Sequence, residues 1–272
     1  MPYVRTRLGR WFYEERGAAA RPGDAAVVLW PSLMFDGGMW RGQIEPLAAL
    51  GRVIAFDGPG HGKSEVPPPF TLEENADALV DAFGELGVER AVMVGLSWGG
   101  MVGMRAALQH PSRIRALALM DTSAEAESRA NAIKYRAFVA FGRHLGMPKP
   151  LAMALIAPLM FSDRALAGQP EMVDRFVRAA NGFSREGLAR ASLAVVVHRT
   201  DVLPSLGRIT APTLVMCGRE DRSTPLVHSE RLARAIPGAR LVTIPGAGHV
   251  SALEKPDEVN EVLVPFVREN LA

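Results

Sequence analysis

Within Gly95-Leu-Ser-Trp-Gly99 a single serine stands between two glycines, and a third, Gly100, follows at once. A serine hydroxyl becomes a useful nucleophile only when a neighbouring base takes its proton, and an imidazole does this best when a carboxylate fixes its tautomer. The G-x-S-x-G spacing suits a strand-to-helix turn so tight that flanking side chains would collide, which accounts for glycine where it costs about 0.5–1 kcal/mol relative to alanine. Ser97 is therefore a candidate nucleophile for acyl transfer. The plainer alternative is a glycine-rich helix start in which Ser97 is only an N-cap.

For such a turn the expected chain order is serine, then an acid, then histidine, which leaves His198, His228 and His249 as bases. His249 lies in the loop Pro245-Gly-Ala-Gly-His-Val250, directly after an apolar run, and is the preferred base. His228 falls in a helical pattern and His198 precedes the resumption of the sheet; His61, His110 and His144 come too early and read as turn, helix-end and cap residues. Asp221, in Cys217-Gly-Arg-Glu-Asp-Arg-Ser-Thr-Pro225, is the preferred acid, with Glu220 and Asp121 as rivals and a solvated loop carboxylate as the bland reading of all three. An oxyanion needs two N–H donors. The Trp98 amide follows the nucleophile, and in Trp30-Pro-Ser-Leu-Met34 the Leu33 amide is preferred over that of Ser32, since Pro31 has none.

These residues need a scaffold that brings loops to one edge. Runs at Val4–Leu8, Trp11–Glu15, Ala26–Trp30, Val53–Phe56, Ala91–Val94, Leu117–Met120, Leu214–Cys217 and Leu241–Ile244 read as eight strands, most of them continuously apolar. They alternate with helical patterns at about Trp40–Leu50, Leu72–Leu86, Gly99–Leu108, Leu226–Ala235 and Pro256–Asn270. Such alternation predicts an α/β fold with a mostly parallel sheet and helices on both faces. From Ser123 the pattern changes to Ala-, Met- and Arg-rich helical segments, with a strand-like run only at Leu193–Val197. The expected division is a core of residues 1–122 and 205–272 with a helical cap, or lid, at 123–204.

Composition narrows the class. The 272 residues are 48% hydrophobic and 22% charged, the balance of a globular protein with a sizeable core. Thirty-one basic and 29 acidic residues are spread evenly, for a net charge of +2, so no footprint for nucleic acid or a membrane surface stands out. The lone Cys217 excludes an intrachain disulfide, and the N-terminus lacks the apolar core of a signal peptide, so a cytoplasmic location is expected. A homodimer is compatible with this chain. No His, Cys and acidic cluster has metal-ligand spacing, and neither metal nor organic cofactor is expected.

With these residues in place the chain resembles the α/β-hydrolase superfamily, and within it the 3-oxoadipate enol-lactonase-like esterases and lactonases. The resemblance is carried by Pro31-Ser-Leu followed by Met39-Trp40, by Phe56-Asp-Gly-Pro-Gly-His-Gly-Lys-Ser64, by Val94-Gly-Leu-Ser-Trp-Gly-Gly-Met-Val-Gly103, by Asp121-Thr-Ser-Ala124 and by Gly246-Ala-Gly-His-Val-Ser251. It covers nearly everything but the cap. It implies an α/β-hydrolase fold and a serine hydrolase acting on a small carboxylic ester or lactone through an acyl-enzyme on Ser97, with Asp221 and His249 completing the triad. Enol-lactone hydrolysis and cofactor-free perhydrolysis are variants of that chemistry. Three departures stand out: Pro31-Ser32 replaces the usual His-Gly, Trp98 stands where methionine is commoner, and the cap lacks the tryptophan enol-lactonases tend to carry.

Two other classes compete. Gly58-Pro-Gly-His-Gly-Lys-Ser64 nearly spells a phosphate-binding loop, but Asp57 replaces its first glycine and Pro67-Pro-Pro69 forbids the helix that must follow. A non-turnover ligand receptor on the same fold is the other, against which the intact Ser, Asp and His set argues. The cap segment 124–200 holds eleven Lys or Arg against six Asp or Glu, a field an anionic substrate could use, although a solvated basic face explains it as well. Leu151–Phe161 could line an acyl pocket or simply be a packed helix broken near Pro158.

Overall fold

The computed structural model describes residues 2–18 and 25–271. These form an eight-stranded sheet in the order β1-β2-β4-β3-β5-β6-β7-β8, with β1 Tyr3–Thr6, β2 Gly9–Arg16, β3 Ala26–Trp30, β4 Val53–Phe56, β5 Ala91–Leu96, β6 Ile114–Met120, β7 Thr213–Gly218 and β8 Arg240–Ile244. β1 pairs antiparallel with β2 and β2 with β4; every later pairing is parallel. Parallel pairing demands crossovers, and the helices supplying them cover both faces. Along β3, Ala26, Val28 and Trp30 pack into one core cluster and Val27 and Leu29 into the other. That two-sided burial is why the run is unbroken by polar residues.

The helices are α1 Arg41–Ala48, α2 Leu72–Glu85, α3 Trp98–Gln109, α4 Arg129–Leu145, α5 Lys149–Leu155, α6 Ala157–Met160, α7 Asp163–Gly168, α8 Pro170–Gly182, α9 Arg185–Ser192, α10 Leu226–Ala235, α11 Ser251–Glu254 and α12 Pro256–Leu271. α2, α3 and α10 pack on one face of the sheet, α1 and α12 on the other. α2 begins at a reciprocal cap: the Glu74 amide donates to Thr71 Oγ1 at 3.1 Å and the Thr71 amide to Glu74 Oε2 at 2.8 Å. Such caps contribute about 1 kcal/mol and set the start of the helix.

α4 to α9 all fall between β6 and β7, over the edge where the parallel strands end. The run Leu193–Val197, expected as a strand, is instead a π-helical turn continuing α9, closed by His198 N–H donating to Leu193 O at 2.8 Å. Its valines are β-branched, but among the described residues no strand lies beside them to complete a ladder, so the backbone satisfies itself locally. The apolar stretch Leu151–Phe161 is broken between α5 and α6, with Pro158 in the first turn of α6. Among the described residues no helix is long and apolar enough to cross a membrane.

Candidate active site

Ser97 sits between β5 and α3 with φ 55° and ψ −107°, a conformation an L-residue adopts only when its surroundings impose it. Its amide donates to Met120 O at 2.8 Å, and Thr122 Oγ1 donates to its carbonyl at 2.7 Å. The glycines are clearance in the literal sense. A Cβ at Gly95 would lie 2.2 Å from the Gly99 carbonyl carbon, and one at Gly99 would lie 2.3 Å from Trp30 O. Among the described residues only Met34, Ser97 and Asp121 are non-glycines with positive φ, and all three follow the carboxyl ends of parallel strands.

His249 follows β8 and is 1% exposed. Its Nδ1 lies 3.1 and 3.0 Å from Asp221 Oδ1 and Oδ2. Asp221 follows β7 in a turn that spends three donors on it: the Ser223 and Thr224 amides on Oδ1 at 2.8 and 2.9 Å, and Thr224 Oγ1 on Oδ2 at 2.8 Å. Burial alone would disfavour a charged imidazole, but the Asp221 charge and hydrogen bond, helped by Asp121 and Glu254, outweigh it and raise the His249 pKa. With Nδ1–H donated to Asp221, Nε2 is the ring's free base. Among the described residues the Ser97 hydroxyl makes no hydrogen bond, and the residue is 7% exposed.

The rival acids go elsewhere. Glu220 is exposed. Asp121 is fully buried, but its Oδ1 accepts from the Gly218 amide at 2.7 Å and its Oδ2 is 2.6 Å from Ser251 Oγ. Burial, then the nearby Asp221 charge, pushes its pKa well above the ordinary carboxylate range. Of the other histidines, His228 pairs with Glu125, His110 with Asp77, and His144 and His198 are exposed.

The candidate oxyanion donors differ from their neighbours in being unspent. Ser32 N–H points to Met39 Sδ at 3.2 Å, Met34 N–H to His61 Nε2 at 3.1 Å and Phe35 N–H to Ser32 O at 3.1 Å. Leu33 N–H and Trp98 N–H, the latter at the first position of α3, have no acceptor among the described residues. His61 is thus more than the turn residue its sequence suggests. Buried, with its pKa lowered to about 4 by desolvation, it is neutral, and Nδ1–H faces Pro59 O at 3.2 Å while Nε2 holds the Met34 amide. Its ring lies between Trp98 and Phe183, at centroid distances of 5.1 and 5.3 Å.

The phosphate-loop look-alike is occupied by its own carboxylate: Asp57 Oδ2 accepts the Lys63 amide at 2.8 Å and Oδ1 the Gly37 amide at 2.8 Å. Asp121, Cys217 and Asp221 bring ligand atoms within 4.8 Å of one another. They do not fit a metal, because both carboxylates already accept donors and burial, then the two aspartate charges, raises the Cys217 thiol so that no thiolate is offered. A cavity of about 400 Å³ lies among α4, α5, α8 and α9, lined by Phe138, Leu145, Ile156, Phe176 and Phe183 among others and reaching the loop after β3 at Met34. Neither Ser97 nor His249 lines it. Its aromatic surface comes from phenylalanines, and residues 124–200 contain no tryptophan.

Fold and site together place the chain in a known family: it belongs to the one described as the alpha/beta hydrolase fold, whose model matches residues 25–256. RutD of Azorhizobium caulinodans, named for carbamate hydrolysis, is 30% identical over 99% of each chain. Among solved structures, a thermophilic esterase of Thermogutta terrifontis matches with a TM-score of 0.91 at 28% identity over 100% of both chains. The enol-lactonase of Burkholderia xenovorans LB400 matches with a TM-score of 0.88 at 29% identity, covering 98% of this chain and 99% of that one. The chain is a hydrolase of this family, with esterase and enol-lactonase among its structural neighbours.

Proposed function

We propose that the protein is a serine hydrolase of small carboxylic esters or lactones, working through an acyl-enzyme on Ser97. Support rests on one observation above others: a histidine buried with its aspartate, His249 and Asp221, on the same sheet edge as a serine held at positive φ. His249 Nε2 takes the Ser97 proton as Oγ attacks the carbonyl carbon, and Asp221 holds the ring with Nδ1–H toward itself and stabilises the imidazolium. The Trp98 and Leu33 amides donate to the oxyanion, and among the described residues neither has another acceptor to give up. His249 then passes the proton to the leaving oxygen, activates water, and the acid leaves.

In this reading residues 123–204 are the cap over a core formed by 1–122 and 205–272, and a reducing compartment such as the cytoplasm suits the buried thiol of Cys217. The test is one equivalent of fluorophosphonate label on Ser97 together with turnover of short-chain p-nitrophenyl esters, lactones and an aryl carbamate. Many turnovers per molecule support an enzyme. A single stoichiometric burst overturns the reading in favour of a ligand receptor, and labelling that survives Ser97→Ala overturns it by placing the nucleophile elsewhere.

A further inference from the structure

Glu254, the last residue of α11, is 5% exposed and forms no ion pair among the described residues. Its carboxylate is instead filled by donors from the loop six residues before it and from a segment 92 residues away. Oε1 accepts from the Gly248 amide at 3.0 Å, and both oxygens accept from the Ser162 amide, at 3.3 and 3.2 Å. Oε2 also takes the Ser162 hydroxyl at 2.5 Å. That hydroxyl accepts from the Ala165 amide at 3.1 Å while capping α7, so its own proton goes to Glu254. Burial raises the Glu254 pKa, and the Ser162 and Gly248 donors oppose that by favouring the ionised form.

The two segments matter because of what they carry. Gly248 immediately precedes His249, and Ser162 opens α7 in the cap. They are in direct contact: a Cβ at Gly248 would lie 2.5 Å from Ser162 N and 2.8 Å from the Phe161 carbonyl carbon. The Val250 amide donates to Met160 O at 3.2 Å on the other side of the histidine. His249 is thereby flanked by tethers to residues 160–162 of the cap, and Glu254 ties one of them.

We infer that Glu254 is a positioning residue for the base: it locks the loop carrying His249 to Ser162, so that the imidazole is held in register with Ser97 only while this part of the cap is seated. The inference rests on the proposed role of His249. An ordinary buried carboxylate would serve packing alone. This one spends its oxygens on the peptide before the base and on the cap, and a displacement of about 1 Å at a reacting group can cost 10²-fold in rate.

The experiment compares wild type, Glu254→Gln and Ser162→Ala over a pH series with a short-chain p-nitrophenyl ester, with folding checked by circular dichroism. The groups facing the ring are Asp221 from the β7–α10 turn, Asp121 at the end of β6 and Glu254 from α11, all negative when ionised; Glu220 faces Glu254 itself. Glu254→Gln keeps the shape and removes one of these charges. Expected are a kcat lower by roughly 10- to 100-fold with KM within about threefold, and an acid limb of kcat/KM moved to lower pH. Ser162→Ala keeps the charge, so it should lower kcat without moving the limb.

A folded Glu254→Gln with wild-type kcat and an unmoved limb overturns the inference, as does a variant that only melts earlier. Should Glu254→Gln not fold, an unchanged kcat in Ser162→Ala overturns it instead. If the wild type neither labels nor turns over, the hydrolase reading fails by itself, and NMR of the His249 ring in Ser162→Ala, which leaves the Glu254 side chain in place, then decides: ring signals displaced or broadened relative to wild type uphold the lock and unchanged ones end it.

Discussion

Asp121 and Asp221 follow neighbouring strands, and their carboxylates are close enough to perturb one another, yet only Asp221 reaches His249 Nδ1. Asp121 is turned to the Gly218 amide and Ser251 Oγ, clamping the start of the acid's turn to the end of the histidine's loop. In the proposed mechanism Asp221 would orient the base by contact and Asp121 only by supporting the two loops.

Replacing each should show that division. Asp221→Asn should lower kcat by about 10⁴-fold, since a neutral amide no longer fixes the tautomer or stabilises the imidazolium. Asp121→Asn should leave kcat within about tenfold and act chiefly on thermal stability, because its bonds are structural. Steady-state kinetics beside melting curves measures both, and if Asp121→Asn proved the more damaging to turnover the acid would have to be reassigned.

Ser97→Ala should lose roughly 10⁴- to 10⁶-fold in turnover with its circular dichroism spectrum intact. Retention of activity within tenfold would end the acyl-enzyme assignment.

The pH profile follows from the raised His249 pKa. In the proposed mechanism His249 works as neutral imidazole, so kcat/KM should fall as pH drops through that pKa, on a limb above the usual histidine value of about 6.5. A limb at or below 6.5 contradicts the balance of charges around the ring.

His61 makes a separate prediction about stability. Its folded pKa of about 4 lies below the ordinary value, so between pH 6.5 and 4 the unfolded chain binds a proton the folded one refuses. Stability is therefore undiminished above pH 6.5 and declines as pH falls to 4, by on the order of 3 kcal/mol. His61→Gln can still accept the Met34 amide and should flatten that decline in chemical-denaturation curves taken across the window. A slope as steep as in wild type would assign it to other groups.

Gly95→Ala tests the elbow itself. With a Cβ 2.2 Å from backbone carbon, the turn cannot close without moving α3, at a cost of about 3 kcal/mol or more. A wild-type melting temperature in that variant would show that the turn relaxes freely.

Much of the fold is legible in the order of the amino acids. The continuous apolar runs at Ala26–Trp30 and Val53–Phe56 have the observed strand bounds because strands buried on both faces admit no polar residue. The run Leu193–Val197 is misleading, because β-branched valines favour a strand only where a neighbouring strand exists. Three residues carry no local sign of their role. His61 has the setting of a turn residue, Glu254 that of a surface carboxylate before Lys255-Pro256, and Asn75, which accepts from Trp98 Nε1 at 3.0 Å, that of any polar residue on a helix.

The sequence by itself determined what is local: the glycine clearance around Ser97, the period of strands and helices, and the amides left in the Pro31–Met34 loop once proline is discounted. The tertiary structure decided which of three chemically equivalent acids meets the imidazole, which amides are already spent, and that Glu254 joins a segment 92 residues away. A carboxylate's role depends on its burial and on the donors that converge on it. Those donors come from separate turns of the chain, brought together by packing that no short stretch of sequence encodes.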